Sequence, residues 1–127
     1  MKKLTIILVC VVISLSAMAT PPDLAVETIF DGNYVDNKNV EYTIIQNSRG
    51  YYRCMTVKND VEILNKIRSA IEKDRPRATD FTSFQNKEGS YTQMKFINNK
   101  ETIKVGLTVE PNGDFFFFIK GPEKAFK

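Results

Sequence analysis

From Thr102 to Lys120 the chain carries two runs of β-branched and aromatic residues on either side of Pro111-Asn112-Gly113-Asp114. An Asn-Gly pair between two such runs is the strongest short-range signal for a β-hairpin, so this stretch commits the chain to antiparallel pairing near its C-terminus. With Asn112-Gly113 as a two-residue turn, Glu110 pairs with Phe115, Val109 with Phe116, Thr108 with Phe117, Leu107 with Phe118 and Gly106 with Ile119. Ile103, Val105, Leu107, Val109, Phe116 and Phe118 then share one face, which is core. Phe115, Phe117 and Ile119 fall on the other, beside Gly106 and Thr108. Side chains alternate with a period of two, so a slip of one residue would exchange the two sets.

The remaining segments extend the sheet. Ser90 to Ile97 reads as a strand joined to Thr102–Glu110 through Asn98-Asn99-Lys100. An even-length loop adds Met94 and Phe96 to the core face and puts Tyr91 on the opposite one, whereas an odd loop would set Lys95 among core residues. The even loop is preferred. Val40 to Gln46 and Tyr51 to Val57 form a second hairpin around the four-residue loop Asn47-Ser48-Arg49-Gly50. Asp23 is a candidate N-cap for a short helix carrying Leu24, Ala25, Ile29 and Phe30 and stopping at Asp31-Gly32. Asn59 and Asp60 offer caps to a longer helix with Val61, Leu64, Ile67, Ala70 and Ile71 on one face, which must end before Pro76. The polar stretch Asp74 to Gly89 has room for one irregular strand around Phe81 to Gln85. The resulting order, α-β-β-α-β-β-β, predicts an α+β domain: an antiparallel sheet of about five strands with both helices on one face.

The face bearing Tyr91, Phe115, Phe117 and Ile119 is too apolar for an ordinary solvated sheet surface. Two readings stay open. Either another part of the chain folds over it and the last strand is central and buried on both sides, or it is a docking face for a protein or glycan partner or for a second copy.

Residues 1–19 have the form of a secretory signal: Lys2 and Lys3, an apolar run from Leu4 to Leu15, and Ala17-Met18-Ala19 as an A-x-A cleavage site. The expected product is a single domain of residues 20–127, periplasmic or secreted, with no integral membrane segment after cleavage. An apolar run of this length is short of the ~20 residues a spanning helix needs. Lipidation at Cys10 fits poorly, since Val9 stands where a small residue is required. Without residues 1–19 the chain keeps 16 basic and 15 acidic side chains, so most of the formal charge of +3 belongs to the signal. A domain this balanced has no field to favour nucleic acid.

Chemistry is constrained by what the sequence lacks. It holds no histidine, which removes the commonest general base, zinc ligand and pH switch together. Cys54 is the one cysteine of residues 20–127; it has no partner for a disulfide and no histidine to activate it, so it reads as a small buried hydrophobe. Arg68, Lys73, Arg75 and Arg77 lie toward and beyond the end of the longer helix, where cations complement the macrodipole and face water; an anion-binding patch is the alternative. Asp31-Gly32-Asn33 with Asp36 lacks the spacing of a calcium loop and reads as turn and cap chemistry. No Gly-rich phosphate cradle, nucleophile elbow or paired metal ligands occur. The expectation is a non-catalytic domain with no cofactor and no metal.

Ile29-Phe30-Asp31-Gly32, the stretch Tyr51 to Asp60, Lys73-Asp74-Arg75-Pro76-Arg77-Ala78 and the ending Gly121 to Lys127 resemble a family of small exported proteins of unknown function from Bacteroidetes. The resemblance covers nearly all of residues 20–127. It implies a Gram-negative periplasm or cell exterior, and it implies no activity, since that family has no assigned catalytic or binding residues. A binding or accessory domain using an apolar sheet face is the leading expectation. A self-associating structural or stress-related envelope protein is the alternative, and a small hydrolase comes third.

Overall fold

A computed structural model describes residues 24–32, 34, 36–47 and 50–126, with the backbone alone described at 45–47. The predicted signal segment, its cleavage site, Cys10 and Asp23 lie outside these residues. The fold is α+β, with an antiparallel sheet of six strands rather than about five: β1 Val40–Asn47, β2 Gly50–Val57, β3 Asp80–Asn86, β4 Gly89–Asn98, β5 Glu101–Val109 and β6 Phe115–Gly121. Their order across the sheet is β1-β2-β6-β5-β4-β3. The added strand is β3, a regular edge strand whose residues are nearly all exposed. Its polar composition hides it, because an edge strand with no buried face shows no apolar alternation.

Among the described residues there is one α-helix, α1 (Val61–Asp74), capped by Asp60, whose carboxylate accepts the Ile63 N–H at 3.1 Å. Ile63, Leu64, Ile67, Ala70 and Ile71 recur at three- and four-residue spacing and are all buried. Val61, expected on that face, is exposed and Ile63 takes its place. Pro76 ends the helix as expected, sitting in a 3-10 turn over Arg75–Arg77. The short N-terminal helix is a 3-10 helix, Ala25–Asp31. Its first residues are capped from a distance: the buried Asp74 carboxylate accepts the N–H of Ala25 and of Val26, both at 2.9 Å. A third 3-10 helix, Glu123–Phe126, closes the chain and is held by Asn98 and Asn99, whose amides donate to the carbonyls of Ala125 and Lys124 at 2.8 and 2.9 Å.

Register between β5 and β6 differs by one residue from the sequence expectation. Val109 pairs with Phe115, Thr108 with Phe116, Leu107 with Phe117, Gly106 with Phe118 and Val105 with Ile119. The cause is the turn. Pro111-Asn112-Gly113 is a three-residue loop in which Gly113 donates to the Glu110 carbonyl at 2.9 Å and Glu110 donates to the Asp114 carbonyl at 2.8 Å. Gly113 has φ 96°, the positive-φ residue that follows a type I turn in hairpins of this length. Proline favours the second position of a type I turn, so Pro111 draws the turn forward and makes the loop odd.

The exchange turns the strand over. Phe115, Phe117 and Ile119, expected on a docking face, are 2%, 0% and 0% exposed and lie in the core with Val105, Leu107, Val109, Met55 and Val57. Phe30 of the N-terminal 3-10 helix stacks on Phe117, with centroids 5.4 Å apart and ring planes 12° apart. Phe116 and Phe118, expected in the core, are half-buried on the other face. The β4–β5 turn keeps its expected even length: Asn98 pairs with Glu101, and Asn99 and Lys100 have φ 56° and 66°. Met94 and Phe96 are therefore buried as predicted.

Candidate functional site

Neither α1 nor the N-terminal 3-10 helix contributes to the second face of the sheet; their buried residues join the core with the first face. The pairing registers place the second face in rows across the strands. One row runs Phe84, Tyr91, Thr108, Phe116, Thr56 and Glu41. The next runs Thr82, Gln93, Gly106, Phe118, Cys54 and Thr43, and a third runs Asp80, Lys95, Lys104, Lys120 and Tyr52.

Five aromatic side chains gather here. Phe118 lies 6.0 Å from Phe116 and 6.3 Å from Tyr52, centroid to centroid, and Tyr91 lies 5.7 Å from Phe84. These tilted arrangements suit the quadrupoles of aromatic pairs. Phe84 is 54% exposed, and the other four are half-buried. The ring of Phe118 fills the space above Gly106, the one residue of its row without a side chain. Lys120 Nζ sits 5.5 Å from the Phe118 ring, within cation–π range. The Tyr91 hydroxyl donates to Gln93 Oε1 at 2.6 Å, fixing that ring's tilt.

Of the four side chains expected to form a docking face, the structure brings only Tyr91 to this surface. Phe116 and Phe118 are missed because the sequence reading sets β6 one residue out of register, whereas Tyr52 on β2 and Phe84 on β3 belong to strands whose faces it does not assign. Cys54 is half-buried on this face rather than in the core. Burial, and then a hydrogen bond with Cys54, push the Tyr52 phenol up to about 12, so it is protonated across the physiological range.

Other candidates have local roles. The Arg75 guanidinium stacks 4.1 Å from the Phe81 ring centroid and lies 3.8 Å from the Glu72 carboxylate. Asp31 ends the N-terminal 3-10 helix, while Asn33 lies outside the described residues. Between that helix and α1 runs an open groove of about 630 Å³, bordered by Thr28, Tyr34, Glu62, Asn65 and Lys66. Among the described residues no three Asp, Glu or Cys side chains come close enough to hold a metal ion, and no helix is long and apolar enough to cross a membrane.

In comparison with known proteins, residues 12–105 match a family of unknown function (DUF6108), and the chain belongs to that family. No curated protein and no solved structure matches the chain.

Proposed function

We propose that this member of a family without an assigned function is an exported, non-catalytic binding or accessory domain whose partner docks on the open face of the sheet. The observation that carries the reading is the cluster of Tyr52, Phe84, Tyr91, Phe116 and Phe118 on a face to which no helix among the described residues contributes. Aromatic side chains gathered on an accessible surface mark interaction sites, because they bring large contact area at low entropic cost. Export rests on the n-region, apolar run and A-x-A pattern of residues 1–19, which give a periplasmic or secreted product beginning at Thr20. The non-catalytic reading rests on the absence of histidine and of any recognised catalytic motif from the sequence.

A photo-crosslinking amino acid at Thr108, in the middle of the face, tests this in an export-competent host. Adducts are expected from Thr108 and not from a control at Glu62 on the exposed side of α1, with mass spectrometry of the adduct defining the partner. An adduct with a second copy would favour the self-associating alternative. Equal labelling from both positions, or none from Thr108, overturns the reading. Intact mass of the exported protein tests processing: retention of residues 1–19, or lipid on Cys10, rules out cleavage after Ala19.

A further inference from the structure

Resting on that reading of the open face, we infer that its ligand is an acidic polysaccharide with about one carboxylate per sugar residue, lying across the strands along Lys95, Lys104 and Lys120. The three lysines stand directly opposite one another on β4, β5 and β6. Like charges in direct cross-strand register oppose pairing, so the row is a cost to the fold. Asp80 faces Lys95 from the edge strand. Among the described residues, the positions beside Lys104 and Lys120, along and across the strands, carry no carboxylate. An anionic ligand supplies the missing countercharge.

Spacing and chemistry select the class. Neighbouring strands are about 4.8 Å apart, so the row offers one cation per strand at roughly the rise of one sugar in an extended pyranose polymer. Phe118 beside the row and Tyr52 at its end, opposite Lys120, offer apolar ring surface to the C–H faces of sugars, and Lys120 is already held over Phe118. Thr102 and Thr108 are exposed and Gln93 is half-buried, giving hydroxyl and amide partners for sugar hydroxyls. Two other occupants fit less well. Lysine is depleted from dry protein–protein interfaces, and inserting this face into lipid would desolvate the threonine and glutamine groups without replacing their hydrogen bonds. Nucleic acid asks for a basic domain, and residues 20–127 are almost neutral.

Affinity electrophoresis through gels containing polygalacturonate tests the inference, with its neutral methyl ester as the matched control. The wild-type chain should be retarded by the acid and not by the ester, with retardation lost in high salt. Lys104→Gln combined with Lys120→Gln should weaken it about tenfold or more, with thermal unfolding showing the variant folded. Phe118→Leu should weaken it without changing the salt dependence. Absence of retardation, equal retardation by the ester, or an unaffected double-lysine variant overturns the inference. So does tighter binding to oligothymidylate, poly-glutamate or phosphatidylglycerol vesicles. If Thr108 still crosslinks selectively to another partner while polygalacturonate fails, the ligand class is wrong and the docking face stands.

Discussion

The ring of Phe118 occupies the space that a side chain at Gly106 would need: a Cβ built on Gly106 would overlap ring atoms Cε1 and Cζ. The pair makes a patch of aromatic surface in the centre of a six-stranded sheet, on the side away from the core. The ring shields the glycine backbone, and the glycine lets the ring lie close to the sheet.

Gly106→Ala should therefore move the ring and not the backbone. Phe118 is half-buried and its far edge makes the clash, so the ring can swing toward solvent. Losing the ring contact is offset by the lower conformational entropy of Ala in the unfolded chain, and the net change should stay within about 1 kcal/mol. In the wild type the Gly106 α-protons should show ring-current shifts. Phe118→Leu should abolish them, and unshifted protons in the wild type would contradict the contact.

Register gives a sharper contrast. Phe117 is fully buried and stacked on Phe30, so Phe117→Ala should cost about 3–5 kcal/mol, enough to unfold a domain of ordinary stability. Phe116→Ala, on the open face, should cost roughly 1 kcal/mol. Urea denaturation of the two variants decides it; the reverse ranking would restore the two-residue turn.

These adjacent phenylalanines also show how far the sequence is legible. Element types follow from composition and period, and the β4–β5 loop was readable because Asn99 and Lys100 leave an even count between paired residues. The β5–β6 register is harder to read because Asn-Gly signals a two-residue turn, while Pro111 just before it favours the longer one that forms. Since all four of Phe115 to Phe118 are equally apolar, their hydrophobicity does not show which pair faces the core. Asp74 is a different case. It sits 48 residues from the N–H of Val26 that it caps, and no local pattern announces such a contact.

That long-range cap is testable. Asp74→Ala removes the acceptor for two N–H groups in or near the core and should cost about 2–4 kcal/mol, since each unsatisfied donor carries its desolvation penalty. Asp74→Asn keeps one acceptor oxygen and should cost about half as much. Denaturation midpoints for the two variants check the ranking. Equal, small effects would mean that the N-terminal 3-10 helix docks without the cap.

Glu27, on the same 3-10 helix, sets a pH dependence. Burial raises its carboxyl above the usual value, only partly countered by Arg53, while Asp31 and Asp74 add to the rise. The folded state therefore holds this proton more tightly than the unfolded state. The stabilisation is fully present below the unfolded value of 4.5 and is lost as pH rises through the folded one. Glu27→Gln should be more stable than wild type at neutral pH, with the advantage fading toward pH 4. Melting temperatures across that range test it; a variant less stable at neutral pH would show that attraction to Arg53 outweighs burial.

The lysine row predicts a gain in stability from a change on the proposed binding face. Lys104 stands between Lys95 and Lys120 across the sheet, so Lys104→Gln removes two unfavourable cross-strand pairs at once. Each like-charge pair is worth a few tenths of a kcal/mol, and the variant should be stabilised by about 0.2–1 kcal/mol at low ionic strength. Screening shortens the reach of these charges to about 10 Å at 0.1 M salt and less above it, so the gain should shrink as salt is added. Wild type itself should become more stable over the same salt range. A variant that gains stability while losing retardation by polygalacturonate would separate the two roles of the side chain, since a lysine kept for the fold would lose both together. A Lys104→Gln protein less stable than wild type at low salt would mean that neighbouring groups already neutralise the row, leaving no unmet charge for a ligand to answer.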